Sequence, residues 1–254
     1  NKLKLYAATS GVAIAVLGAT PAFAVGTDAG SSITNTATIN FNVGTVAQTA
    51  VTATNTFVVD RKVNLTVVEL GTATTTVVPG QTQAATTFTV TNTSNATIDI
   101  GLSAANLAGV AAPHGGTDVF NPGAYTLYLD DGDNVFDAGD TLITHLDEVA
   151  EDGVRVVHVV TSISAAQTNG QIAAVSLTGT AKAAGTAGTE GAALTATGGA
   201  DTAAMDTVLA DAAGSDDAVT DGKHSARDDY TVSAPVLTVS KLSRVISDPI
   251  NGVS

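Results

Sequence analysis

The sequence predicts an all-β fold, an antiparallel β-sandwich with one short helix in an insertion rich in Ala, Gly and Asp. Three observations support this prediction. Apolar and β-branched residues alternate with polar ones over many short stretches, and this period of two is typical of half-buried strands. Turn residues separate the stretches at intervals of roughly ten residues, as in β-sandwiches. Helical periodicity is nearly absent from the chain.

Residues 1–24 have the three parts of a secretory signal peptide. Lys2 and Lys4 form a basic start, residues 11–19 form a short apolar run, and Ala22-Phe23-Ala24 matches an A-x-A cleavage site. The apolar run is shorter than the roughly 20 residues that a membrane-spanning helix needs. We therefore expect an extracellular or cell-surface protein with no transmembrane anchor, whose mature chain begins at Val25.

The first predicted strands form a β-hairpin over residues 31–59, with its turn at residues 42–45. One parity of the first strand is largely apolar and the other carries mainly Thr, so each strand is expected to be half-buried. Further strands are predicted at residues 63–67, 88–90, 98–102, 125–129, 154–163, 172–177 and 232–246. Pro79-Gly80 and the polar run at residues 92–95 supply turns between them.

Three regions follow the signal peptide in the predicted organisation. Residues 25–178 form the sandwich core and contain an acidic loop. Residues 179–230 form an insertion or linker, in which Ala204, Met205, Val208 and Leu209 at helical spacing predict a helix over residues 201–212, with Asp201 as its N-cap. Residues 231–254 hold a terminal strand.

The run PGQTQAATTFTVTNTSNATIDI at residues 79–100 resembles the PG…FTVTNTGNAT run of exported bacterial surface proteins with DUF11-like repeat domains. Residues 234–254 (APVLTVSKLSRVISDPINGVS) resemble the first strand of one more such repeat. The resemblance implies Ig-like β-sandwiches, often in tandem, with structural or adhesive roles at the cell surface. It also implies that the terminal strand either starts a further repeat or is donated to a neighbouring subunit.

The acidic run LYLDDGDNVFDAGDTLI at residues 127–143 is the candidate metal site. Calcium takes about six to eight oxygen ligands, and closely spaced acids with glycines between them can surround one ion. The spacing predicts a structural calcium ion bound by Asp131, Asp133, the carbonyl of Val135, Asp137 and Asp140. Asn134 replaces the usual Gly and no helices flank the run, so an EF-hand is not expected. The alternative is a solvated acidic turn.

Two other sets of residues give weaker predictions. The acidic run at residues 211–229 lacks regular spacing and predicts a solvated loop; its acids include Asp216, Asp217, Asp221, Asp228 and Asp229. Each histidine stands alone, with no HExxH or HxH pair, which argues against a zinc or copper site. These histidines are His114, His145, His158 and His224.

Composition excludes several classes of function. The 24 acidic residues outnumber the 10 basic ones, and the net charge of -14 leaves no basic surface for nucleic acid. The absence of cysteine excludes disulfides, thiolate metal sites and thiol nucleophiles. No G-x-S-x-G elbow, Walker loop or dinucleotide fingerprint occurs, and aromatic platforms for sugars are scarce, so no enzyme is expected.

The sequence therefore predicts a secreted structural or adhesive cell-surface protein. Self-association into a homopolymer is expected through the terminal strands, residues 31–41 or 236–246, by β-strand addition, with calcium stabilising the subunit. The alternative hypothesis is a monomeric calcium-dependent module of a larger secreted protein that recognises a glycan or another surface.

Overall fold

The computed structural model describes residues 26–199, 201–235 and 238–244, and the predicted signal peptide lies outside these ranges. Every regular element within them is a β-strand, which confirms the all-β prediction. The first eight strands are β1 (Ser32–Ile39), β2 (Asn42–Val43), β3 (Val46–Ala47), β4 (Val51–Val58), β5 (Arg61–Val63), β6 (Leu65–Glu69), β7 (Thr75–Val77) and β8 (Ala84–Asn92). The others are β9 (Ile98–Asn106), β10 (Thr126–Leu129), β11 (Thr141–Ile143), β12 (His145–Val149), β13 (Val154–Thr161), β14 (Ile172–Ala183), β15 (Thr207–Leu209) and β16 (Lys223–Val232).

Two five-stranded sheets share one hydrophobic core. The first has the strand order β11-β10-β13-β8-β6, and the second has the order β12-β9-β14-β16-β7. Buried side chains from both sheets pack in the same cluster, for example Phe88 and Val157 from the first sheet with Ile100, Leu177 and Tyr230 from the second. The alternation of buried and half-exposed residues along β8 is the period of two that the sequence predicts.

The predicted polar turn at residues 92–95 ties the two sheets together. The Asn92 amide donates to the carbonyl oxygens of Val149 and Ala150 at 2.9 and 3.1 Å, and so links β8 of the first sheet to the end of β12 in the second. Asn95 accepts from the Lys62 N–H at 2.8 Å and donates to the Asp60 carbonyl at 2.9 Å. Side-chain amides thereby satisfy backbone groups that no strand partner reaches.

The N-terminal hairpin forms as predicted, but it is not half-buried. β1 pairs with β4 in antiparallel register from Ser32↔Val58 to Ile39↔Val51, and Gly44, at a φ of 64°, turns the chain between β2 and β3. Both faces of the hairpin are exposed over almost its whole length. The alternation of residue types correctly predicted strands; their half-burial was wrong, because no second layer from the described part of the chain covers either face.

The helix predicted at residues 201–212 is wrong. The described residues of this segment hold no helix, and β15 instead pairs in parallel with β5, with Val208 opposite Lys62. Thr207 and Val208 are β-branched and favour a strand once a partner is present. Asp206 lies within the predicted helix, but its carboxylate instead accepts hydrogen bonds from the backbone N–H and the hydroxyl of Thr202.

The sheets extend into the region predicted as an insertion. β14 runs from Ile172 to Ala183, and β16 begins at Lys223, so residues 179–183 and 223–230 belong to the core. At the other end, residues 238–244 are exposed and form no strand within this chain. The remaining residues of the predicted strand at 236–246 lie outside the described ranges.

None of the described residues forms a helix with the length and apolar character needed to cross a bilayer.

Replacing Asn92 by Ala should destabilise the fold by about 3 kcal/mol, because three carbonyl groups lose their donor, that of the buried Val149 among them, and the buried N–H of Ser94 loses its acceptor. The carbonyls belong to Ala96, Val149 and Ala150. Urea unfolding of the purified protein measures the difference. Asn121→Ala is the control, since Asn121 is exposed and should change stability by no more than about 0.5 kcal/mol. Equal losses in both variants would contradict the role of Asn92.

Candidate functional site

The acidic run forms the connection of a β-hairpin. β10 and β11 pair antiparallel, and Leu129 opposite Thr141 closes the base of the loop at residues 130–140. Gly132 and Asn134 have positive φ angles of 118° and 63°, a conformation that Gly and Asn tolerate better than other residues. The loop therefore bends back sharply and keeps its carboxylates close together.

The carboxylates shape the loop by accepting from its own backbone. Asp140 accepts from the N–H groups of Asp131 and Asp137 at 3.2 and 2.9 Å. Asp133 accepts from the N–H of Val135 at 2.8 Å. These bonds occupy part of the acceptor capacity of each carboxylate, and an ionised carboxylate has about four lone-pair positions in all.

Three of the five predicted calcium ligands, Asp131, Asp133 and Asp140, fall into two groups. Ligand oxygens of Asp130, Asp131 and Asp133 lie within 4.8 Å of one another, and so do ligand atoms of Asp130, Asp140 and His158. Asp130 belongs to both groups, although the spacing argument did not select it. Asp137 belongs to neither and accepts from the Gly139 N–H at 2.6 Å, while the Val135 side chain is exposed.

Gly139 leaves room for the converging carboxylates. A Cβ at this position would collide with the carboxylate of Asp131 and would lie 3.1 Å from Oδ1 of Asp137. Loss of hydration, followed by the negative charges of Asp133, Asp137, Asp140 and Asp130, raises the pKa of Asp131. A cation would relieve this repulsion, so the carboxylates of the loop could hold a metal ion.

His158 anchors one side of the loop to the first sheet. It lies on β13 opposite Tyr128 of β10, and its side chain is completely buried. Its Nε2 lies 3.1 Å from Oδ1 of Asp130, and its Nδ1 lies 2.9 Å from the hydroxyl of Thr87. The ring therefore has a partner at each nitrogen. Only the pairing of two distant strands brings it to the loop, so residue spacing gives no sign of it.

The second acidic run is not a solvated loop. Asp228 and Asp229 lie on β16 and are 3% and 1% exposed. Asp216 accepts from the hydroxyl of Ser176 at 2.7 Å and pairs with Arg227, whose hydrogen bonds lower the pKa of Asp216. The alternation of buried and exposed residues fails at Asp228 and Asp229, which are neighbours in β16 and are both buried, because both faces of the strand are covered there.

His114 is not isolated either. Its Nε2 lies 3.2 Å from Oε1 of Glu69, and its Nδ1 lies 3.3 Å from Oδ2 of Asp229 and 3.7 Å from Oδ1 of Asp228. Burial, together with the negative charges of Glu69 and Asp229, raises the pKa of Asp228 to about 7, against the lowering effect of a hydrogen bond from the Asp229 N–H. The four residues come from three separate parts of the chain.

Comparison with protein-family models and with curated proteins finds no match for this chain.

Replacing His158 by Ala should destabilise the protein by about 3 kcal/mol, because Asp130 and Asp140 lose their buried neighbour and a cavity remains. Thermal and urea unfolding without added metal measure this loss. His145→Ala serves as the control: its ring lies 3.9 Å from Asp147, a half-exposed acid, so little stability should be lost. A His158→Ala protein as stable as the wild type would show that the ring does not anchor the loop.

Proposed function

We propose that this chain is a secreted structural or adhesive protein of the cell surface, built on an Ig-like β-sandwich. Its subunits associate with one another through exposed β-strands to form an extracellular filament, and calcium stabilises the acidic loop. The observation that carries the proposal is the N-terminal hairpin of β1 and β4, whose two faces are both exposed.

An uncovered two-stranded hairpin is marginally stable in water on its own. In this hairpin the unpaired edges of β1 and β4 are available for main-chain hydrogen bonds, and such edges readily pair with another strand. Large apolar side chains are exposed as well, including Ile39 at 64% and Phe57 at 49%. A partner that covers these groups would supply the burial that the single subunit lacks.

The two faces of the hairpin differ in chemistry. Ile33 pairs with Phe57, Ala37 with Ala53 and Ile39 with Val51 on one face. The opposite face carries Thr residues whose hydroxyl groups pair across the strands, such as Thr34 with Thr56 at 3.0 Å. The apolar face is therefore the one whose burial is favourable, since burying apolar area contributes about 25 cal/mol per Å².

A second copy of this chain is the partner that the charge distribution favours. The protein carries a net charge of -14, yet residues 32–58 contain no Asp, Glu, Lys, Arg or His. Two copies repel each other through their acidic surfaces, and a charge-free hairpin is the surface on which that repulsion is weakest. The absence of basic residues from the hairpin disfavours anionic partners, because it offers them no counter-charge.

The C-terminal segment offers a second route to the same assembly. Residues 238–244 are exposed and outside any strand, so their backbone donors and acceptors are available to a neighbour. Strand addition would give the segment the partner that its own chain does not provide.

Calcium is the proposed ligand of the loop at residues 130–140. Support comes from the oxygen-only donors of Asp130, Asp131 and Asp133, which lie within 4.8 Å of one another, and from the space left by Gly139. Extracellular sites of this kind bind calcium with dissociation constants of about 10⁻⁴–10⁻³ M. The ion would stabilise the β10–β11 connection.

Ile39→Lys should raise the protein concentration needed for self-association at least about 10-fold, because it places a charge on the apolar face that the proposed assembly buries. Light scattering after gel filtration, together with negative-stain electron microscopy of the secreted protein, measures the effect. Val219→Lys is the matched control, since Val219 is 63% exposed, close to the 64% of Ile39, and lies outside the hairpin.

Wild-type protein that stays monomeric at every concentration would contradict the proposal and favour the monomeric glycan-recognition alternative. Equal behaviour of the two lysine variants would remove the hairpin from the interface. Deletion of residues 234–254 tests the C-terminal route separately, because it leaves β16 complete. Loss of filaments in that variant alone would assign assembly to the C-terminal segment.

Calcium titration of chelator-treated protein should give one weak site, and Asp131→Asn combined with Asp133→Asn should weaken it at least about 10-fold, because two carboxylate ligands lose their charge. Isothermal titration calorimetry measures both proteins. Asp152→Asn is the control, since Asp152 is also exposed and Asn tolerates its φ of 56°. The absence of saturable heat in the wild type, or an equal loss in the control, would refute the calcium site.

A further inference from the structure

Three potential metal ligands from opposite sheets meet beside a surface cleft, and a fourth acid, Asp229, lies next to His114. Glu69 ends β6 of the first sheet, Asp228 and Asp229 lie on β16 of the second, and His114 comes from the connection between β9 and β10. Single ligand atoms of Glu69, His114 and Asp228 lie within 4.8 Å of one another. Glu69 also lines a cleft of about 480 Å³, so the group is within reach of solvent.

The negative charge of this group is not balanced by the protein. Three carboxylates surround one imidazole, and in the described ranges no Lys or Arg forms an ion pair with any of them. The nearby Arg227 pairs with Asp216 instead. Two of the acids, Asp228 and Asp229, are almost fully buried, and a buried carboxylate is unfavourable unless it is protonated or bound to a compensating group.

Two buried polar atoms in the group have no hydrogen-bond partner. One is Oδ1 of Asp229, whose side chain is 1% exposed. The other is Nδ1 of His114, although carboxylate oxygens lie only 3.3 and 3.7 Å away. His158 differs, since both of its nitrogens have partners. A buried carboxylate oxygen without a partner costs free energy unless another group binds it.

We propose that Glu69, His114, Asp228 and Asp229 bind one divalent transition-metal ion, with zinc as the first candidate. Imidazole nitrogen together with carboxylate oxygen is a donor set typical of zinc, whereas calcium prefers oxygen ligands alone. The ion would supply the missing positive charge and would take up the free acceptor positions of Asp229. This site is separate from the oxygen-only loop at residues 130–140 and does not depend on its calcium.

Side-chain movements would bring the ligand atoms to zinc distances. Zinc binds nitrogen and carboxylate oxygen at about 2.0–2.2 Å in tetrahedral geometry, so two ligand atoms on one ion are about 3.4 Å apart. The ligand atoms of Glu69, His114 and Asp228 lie within 4.8 Å of one another, and a separation at that limit would need to contract by about 1.4 Å. Glu69 and His114 have side chains that are 17% and 15% exposed and can move without disturbing β16.

The ion would join β6 and β16, which belong to different sheets. Glu69 of β6 and Asp228 of β16 offer ligand atoms within 4.8 Å of each other. Zinc should therefore raise the unfolding temperature of the whole domain, because an ion that binds only the folded state stabilises it increasingly as the ion concentration exceeds the dissociation constant.

Zinc titration of chelator-treated full-length protein tests the proposal. Isothermal titration calorimetry should show one saturable site in the wild type, accompanied by a rise in unfolding temperature. His114→Ala should weaken zinc binding at least about 10-fold and abolish the rise. Asp229→Asn should do the same. In the wild type the backbone N–H of His114 donates to Oδ2 of Asp229 at 2.9 Å. The side-chain oxygen of the asparagine can still accept this hydrogen bond, so the fold is retained.

His145→Ala is the matched control, because the His145 side chain is also 15% exposed and lies beside an acid, Asp147. It should bind zinc as the wild type does. The double variant Asp131→Asn and Asp133→Asn should also keep the zinc site while losing calcium. Unfolding temperatures of all variants without metal establish that each one is folded.

Three results would overturn the proposal: no stoichiometric binding of zinc to the wild type, equal weakening of binding in His114→Ala and His145→Ala, or displacement of zinc by calcium at equal concentration. The calcium titration and the assembly test of the proposed function do not depend on these results, so a failure here is distinguishable from a failure of either one.

Discussion

Antiparallel pairing of β16 with β14 is the constraint on which the rest of the structure depends. It runs from Ile172↔Thr231 to Thr180↔Lys223 and places Tyr230 in the core, where its hydroxyl donates to the Val159 carbonyl of the first sheet at 3.0 Å. The same register carries Asp228 and Asp229 into the interior. The strand thus joins both sheets and at the same time brings in charges that need compensation.

Local patterns in the sequence predicted several of the strands and turns, but they missed β7, β11, β12 and β16 and predicted a strand that the described residues 238–244 do not form. The alternation along β8, the turn at Asn92 and the hairpin closed near Gly44 depend on neighbouring residues, so a period of two and turn-forming residues suffice to predict them. Burial could not be predicted in the same way. β1 alternates as clearly as β8, yet remains exposed on both faces, because burial depends on whether another layer is present.

Contacts between distant residues account for the errors. The spacing of residues 201–212 suited a helix, but β5 lies where Val208 can pair with Lys62, and a strand partner outweighs a weak helical preference. His114 seemed isolated because Glu69 and Asp228 lie far from it along the chain. The acidic loop was located correctly from its spacing, while Asp130 and His158 were not chosen, since the pairing of β10 with β13 brings them together.

The length of the hairpin bears on how net charge would affect the proposed assembly. Electrostatic interactions between exposed charges decay over about 8 Å at physiological ionic strength. β1 has eight residues, which at about 3.3 Å per residue extend over roughly 26 Å. Since the hairpin carries no charge, a second copy could contact Ile39 and Val51 near the tip of the hairpin. Most charged residues of the two copies would then stay farther apart than this decay length. Cations bound in the acidic loop or between the sheets would lower the remaining repulsion further, so ion binding and self-association should favour each other.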